Sequence, residues 1–168
     1  MAASILHLCQ WLEQTPVGVL VRESQYGFPI LVTIHLAGLW LSAGLVVWFD
    51  LRLLGVSMRR VPARTVYRQL MPWAFGGFLV MVVSGGTLVS GFATAAYGNV
   101  YFRVKIVALL LAGVNAVVYH RITERRVANW DRATVTPLPA RMAGLISIVL
   151  WAIVILAGRM MSYTLYSR

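Results

Sequence analysis

The chain has 168 residues, 60% of them hydrophobic and 12% charged, with mean hydropathy +0.76. Those proportions exclude a soluble globular domain and leave room for one helical membrane domain. The formal net charge of +10 would suggest nucleic acid in a soluble protein, but in an apolar chain it is the mark of basic loops that fix membrane orientation, so no nucleic-acid partner is expected.

Residues 1–14 are too short and too polar to span a bilayer. Ile5, Leu8, Cys9 and Leu12 share one helical face with Trp11 beside it, the pattern of a short helix lying in the membrane interface. No basic region precedes these residues, and Gln10 and Glu13 interrupt their apolar run, so no signal peptide is expected. Thr15-Pro16 has the chemistry of an N-cap and first helical position, opening a second short helix that runs to about Arg22. Together these make an interfacial segment over residues 1–25.

From Phe28 to Phe49 there is no formally charged side chain, with histidine counted as neutral. A helix of about 20 apolar residues crosses the hydrocarbon core. The first span is therefore placed at 29–53, Pro29 sitting in its first turn and Asp50 and Arg52 stopping the apolar run. Further spans follow at 71–96, 101–121 and 142–164, the second ending at the turn signal Tyr97-Gly98-Asn99. Tyr163 and Tyr166 suit an aromatic interface belt. The expected fold is all-α: an integral membrane up-down four-helix bundle with a short N-terminal interfacial helix, all in one domain.

Loop charges give the orientation. Loop 50–70 carries Arg52, Arg59, Arg60, Arg64 and Arg68 against Asp50, and loop 121–141 carries Arg121, Arg125, Arg126, Arg132 and Arg141 against Glu124 and Asp131. Arg22, Arg103, Lys105, Arg159 and Arg168 are spread over the tails and span ends of the other side. Both arginine-rich loops are expected in the cytoplasm of a bacterial inner membrane, with the N and C termini outside.

Small residues mark where helices meet. Gly77, Ser84 and Gly91 repeat every seven residues, with Gly76, Gly85 and Gly86 beside them; Ala108, Ala112 and Asn115 line the third span, and Gly144, Ser147, Gly158 and Ser162 the fourth. Small residues let helix backbones approach in lipid, which makes packing their first reading.

The ionisable side chains give the lead to function. His35 lies about 10 Å below the outer end of its span, with Gly38 and Ser42 on the same face. Lys105, Arg103 and Arg159 fall near the same depth. Arg103 reads as a snorkelling side chain, whereas Lys105 shares a face with Ala108, Ala112 and Asn115 that can turn inward. A buried imidazole beneath cations meets the needs of haem b: nitrogen for iron, Lys105 and Arg159 for the propionates. Met160 or Met161 is then the second axial ligand, with His7 or a five-coordinate iron as alternatives. His120 sits about 15 Å away in depth at the other end, where it reads as a solvated end residue or a separate inner metal site. A packing or proton-handling role for His35 is the bland alternative. Copper is the second chemistry, with His7, Cys9, His35, Met160 and Met161 as candidate ligands. The single cysteine excludes an internal disulfide and any cysteine-built zinc or iron–sulfur centre. No hydrolytic constellation or phosphate loop is present, and the absence of Asp and Glu within the spans weighs against a proton-driven pump or cation channel.

Two resemblances follow from these residues. The pattern L-E-x-T-P-V-G-V-L-V-R-E-S-x-Y-x-F-P over 12–29, H-L-A-G from His35 and D-L-R-L-L-G from Asp50 resembles a family of short, uncharacterised four-helix bacterial membrane proteins; A-G-x-N-A at 112–116 and His120 extend the likeness over most of the chain. S-G-G-T-L-V-S-G from Ser84, followed by Tyr97-Gly98, Lys105 and Asn115, is similar to a helix pair of the copper-resistance D type of membrane protein, related to b-type cytochrome subunits. That likeness implies haem or copper handling at the outer leaflet. The chain's three histidines are fewer than a two-haem electron path requires.

The reading is a small b-type cytochrome-like subunit holding one haem on His35 and passing electrons between a quinol and another membrane or periplasmic subunit. The alternatives are a non-catalytic accessory subunit of a larger complex, and copper handling.

Overall fold

The computed structural model describes residues 2–123 and 136–166. Glu124, Arg125, Arg126, Asp131, Arg132 and Arg168, used above for orientation, lie outside the described residues, as does the side chain of Tyr166. The chain is all-helical: α1 Ala2–Gln14, α2 Pro16–Glu23, α3 Gly27–Leu53, α4 Ala63–Gly91, α5 Ala93–Gly98, α6 Val100–Val118 continued by a π-helical turn Tyr119–Thr123, and α7 Leu138–Tyr166. Four helices are long and apolar enough to cross a membrane: α3, α4, α6 with its π-helical extension, and α7. They are clothed in exposed apolar side chains, Trp40, Trp73, Val83 and Leu110 among them, as lipid-facing surfaces must be. The chain is a multi-pass membrane protein.

The four helices alternate in direction. One end of the bundle, here the terminal end, holds α1, α2 and α5; the other, the loop end, holds the turns after α3 and α6. α3 pairs most closely with α4, and α6 with α7; α3 against α7 joins the two pairs. At the α3–α4 crossing the backbones touch. A Cβ on Gly38 would lie 2.9 Å from the Gly77 carbonyl, and one on Gly77 would lie 2.7 Å from the Ser42 amide. At α3–α7 a Cβ on Gly144 would meet the Asp50 carbonyl at 3.1 Å. The seven-residue repeat of α4 has a physical meaning: Gly77 meets α3, Ser84 meets His35, and Gly91 meets Val21 of α2. Two buried clusters fill the space between. Ala43, Met81, Ala108, Leu150, Trp151 and Val154 lie mid-bundle, and Phe49, Leu53, Ala63, Val66, Tyr119 and Ala140 lie at the loop end.

Several boundaries differ from the sequence expectation. α4 begins at Ala63 rather than 71, so Arg64 and Arg68 ride on its first turns, and at 29 residues it is about 43 Å long. It stops at Gly91 rather than 96, because Phe92 leaves helical geometry with φ −140° and ψ 35°. α1 and α2 pack against the break: a Cβ on Gly18 of α2 would lie 2.7 Å from the Ser90 carbonyl, and the Glu13 carboxylate accepts from the Thr94 amide at 2.7 Å, capping α5. Thr15 caps α2 as its sequence indicates, its hydroxyl accepting from the Gly18 amide at 3.2 Å.

The apolar run of α3 ends at Phe49, but the helix does not. Asp50 and Arg52 occupy its last turn, each only 4% exposed. Asp50 therefore lies inside a span, against the expectation that the spans contain no carboxylate. Arg52 folds onto the following turn, its Nε donating to the Val61 carbonyl at 2.8 Å.

Candidate functional site

α3 carries His35 about 12 Å along from its first residue at the terminal end. The ring is half-buried against α4. Its Nδ1 is 2.9 Å from the Met81 carbonyl and 3.2 Å from Ser84 Oγ. A carbonyl only accepts, so Nδ1 carries the proton and donates. Ser84 gives its own proton to the Val80 carbonyl at 2.6 Å, one turn back, and its oxygen is free to share the Nδ1–H. The remaining nitrogen, Nε2, has its lone pair turned away from α4. Lys105 Nζ of α6 stands 3.5 Å from it and donates to it.

Glycines shape the walls. A Cβ on Gly85 would lie 2.9 Å from His35 Cε1, so only hydrogen fits beneath the ring. On the far side, a Cβ on Gly158 of α7 would lie 3.7 Å from Lys105 Nζ. All four spanning helices thus meet here: α3 with the imidazole, α4 with its acceptors, α6 with the ammonium and α7 with a bare backbone. Among the described residues no carboxylate pairs with Lys105; the ion pair there is Arg22–Glu23 at 3.8 Å, outside the spans. A cation inside a membrane bundle without a counter-charge holds donors that want oxygen.

The expected site residues divide. His35 and Lys105 come together. Arg159 does not join them: it is exposed, donates from Nη2 to the Tyr163 hydroxyl at 3.1 Å and stacks on that ring at 4.9 Å. Arg103 likewise bends over Tyr97, at 5.4 Å. Met160 is 42% exposed on the outside of α7, and Met161 is half-buried. His7 is exposed on α1, whereas Cys9 of the same helix is buried. His120 lies at the loop end, stacked on Tyr67 with centroids 6.5 Å apart.

These residues fit haem only in part. The Nδ1–H bond to a carbonyl is how proteins orient a metal-ligating imidazole. The nitrogen that iron would take, however, faces the Lys105 ammonium, and the ring edge rests on Gly85 with no slack. Arg159 and Met160 point away. As the side chains stand, they do not form a haem site. Among the described residues no group of three or more His, Cys, Asp and Glu gathers.

Sequence reasoning did not bring Ser84 to the ring, whereas Gly85 and Gly158 are among the glycines, with Gly38, Gly86 and Gly91, expected to leave room beside His35. Ser84 was visible as one member of the small-residue repeat. The Met81 carbonyl left no trace in the sequence, because a backbone acceptor has no residue type.

Residues 10–164 match a family described as "Family of unknown function (DUF6644)", and the chain belongs to that family. No curated protein and no solved structure matches the chain.

Proposed function

Starting from membership in a family without an assigned activity, we propose that this chain is an accessory subunit of the bacterial inner membrane that binds the oxygen-bearing headgroup of a membrane-soluble amphiphile, a quinol foremost, beside the His35–Lys105 pair. The observation that supports it is the Lys105 ammonium, held inside the bundle with one weak acceptor, His35 Nε2, and no carboxylate among the described residues. A quinone carbonyl or quinol hydroxyl supplies what the pair lacks. Its oxygen accepts from Lys105, and its ring slides in from lipid as no water-soluble ligand would.

Orientation follows from the basic loop end. Arg59, Arg60, Arg64 and Arg68 are exposed there, as are Arg121 and Arg141, so that end belongs in the cytoplasm. The His35–Lys105 site then lies in the outer leaflet, and α1, with Leu8 and Trp11 exposed, rests at the outer interface.

The test is organic extraction of the detergent-purified protein followed by mass spectrometry. Quinol is expected in near-stoichiometric amount from the native chain and greatly reduced from Lys105→Met. Equal quinol in both would overturn the reading. So would an absorption spectrum with a Soret band lost in His35→Ala, which would put haem in its place, or stoichiometric copper lost in the same variant.

A further inference from the structure

At the opposite end of α3 lies a second ionisable group that the first site does not use. Asp50 is 4% exposed, and its Oδ2 is buried with no hydrogen-bond partner. Among the described residues only Thr94 Oγ1 shares that condition. The carboxyl lies between α3 and α7, where Ser147 interacts with it and Gly144 brings the α7 backbone against its own main chain. Other charged and titratable groups on the surrounding elements do not neutralise it. Arg52 of α3 is committed to the Val61 carbonyl at 2.8 Å, Tyr67 of α4 and Tyr119 of the π-helical turn after α6 belong to the aromatic cluster around Phe49, and Arg141 of α7 is exposed.

A carboxylate removed from water with no cation beside it is costly, and the cost is relieved when the charge is cancelled. Side-chain packing explains neither its identity nor its open oxygen, since an asparagine or leucine would sit in the same space without a charge. We propose that Asp50 is a binding site for a small monovalent cation, a proton or a sodium ion, taken up from the loop end of the bundle. The open Oδ2 is the atom that receives it, and Ser147 supplies a hydroxyl oxygen beside it. The site is independent of the His35–Lys105 pair: it lies fifteen positions further along α3, about 22 Å at helical rise, and shares no side chain with it.

The experiment is labelling of the full-length protein in detergent with dicyclohexylcarbodiimide, which reacts with a carboxyl in apolar surroundings only when it holds a proton. Adduct is expected at Asp50 by peptide mapping at neutral pH, ahead of Glu13 and Glu23, and absent from Asp50→Asn. Labelling that sodium slows, with potassium as the control, assigns the site to sodium; labelling indifferent to sodium assigns it to the proton. No adduct at Asp50 at any pH from acid to neutral, in protein whose helix content is intact, would overturn the proposal. Because the native chain carries the readout, failure of the variant to fold would not rescue it.

Discussion

At His35 the neighbours decide the chemistry of the ring. The Met81 carbonyl fixes the proton on Nδ1, Gly85 fixes the ring plane, and Lys105 takes the other nitrogen. Gly85→Ala should therefore act on the site through one methyl group, forcing the imidazole off Met81 or off Lys105. A loss of about 1–3 kcal/mol is expected for such overpacking, read as a lower unfolding midpoint in detergent. Gly86→Ala, one residue on, adds a methyl group where nothing lies within 4 Å and should leave the midpoint unchanged. Lys105→Met separates binding from stability. Removing a desolvated cation offsets the lost hydrogen bond to Nε2, so stability should stay within about 1 kcal/mol of the native protein. A large loss of stability would make Lys105 a structural strut.

Among the elements, the α3–α4 pair bears the tightest demand. Gly38→Val and Gly77→Val both drive carbon into backbone atoms, which cannot swing aside as a side chain can. Neither variant should yield folded protein, whereas Gly44→Val, with open space around it, should. Membrane yield and detergent monodispersity check this. The N-terminal helices are held less firmly. Glu13→Ala leaves the Thr94 amide without its acceptor at a cost of about 1 kcal/mol, the size of a helix cap, and should speed proteolysis after residue 14. Glu13→Gln retains an oxygen and should not. The four spans were legible in the sequence because lipid demands long apolar runs. The cap at Thr15 was legible because it is local, and the structure shows its hydroxyl accepting from the Gly18 amide; Asn99, read only as part of a turn signal, also accepts from the amides of the helix it starts. The break at Phe92 was not legible, since the groups packed against it, Gly18 and Glu13, are more than seventy residues away in the chain. The burial of Asp50 was hidden for a related reason: a charge ending an apolar run looks like a helix leaving the membrane, and only the packing of α7 shows otherwise.

Across the whole molecule, two polar positions stand at opposite ends of α3, with Ser42 and the apolar cluster of Met81, Leu150 and Val154 between them. The pairing of His35 with Lys105 spans seventy positions in sequence and could not be read from spacing; their matching depth, and the face Lys105 shares with Ala108, Ala112 and Asn115, hinted at it. Arg159 carried an equal charge at a similar depth and turned outward onto Tyr163, a choice that sequence leaves open. Orientation can be measured in cells. In a Cys9→Ser background, Tyr163→Cys should react with a membrane-impermeant maleimide added outside, and Arg60→Cys only after the membrane is opened. The opposite pattern would move the His35 site to the cytoplasmic leaflet.

The headgroup site itself is tested most directly by titrating purified protein with a short-chain ubiquinone analogue and following the thermal unfolding midpoint. A saturable rise is expected for the native chain, because a ligand that binds only the folded state stabilises it. In Lys105→Met the affinity should fall by at least about tenfold, the lower range for a hydrogen bond to a charged group. An identical rise in both proteins, or none in either, would contradict a ligand site at His35 and Lys105.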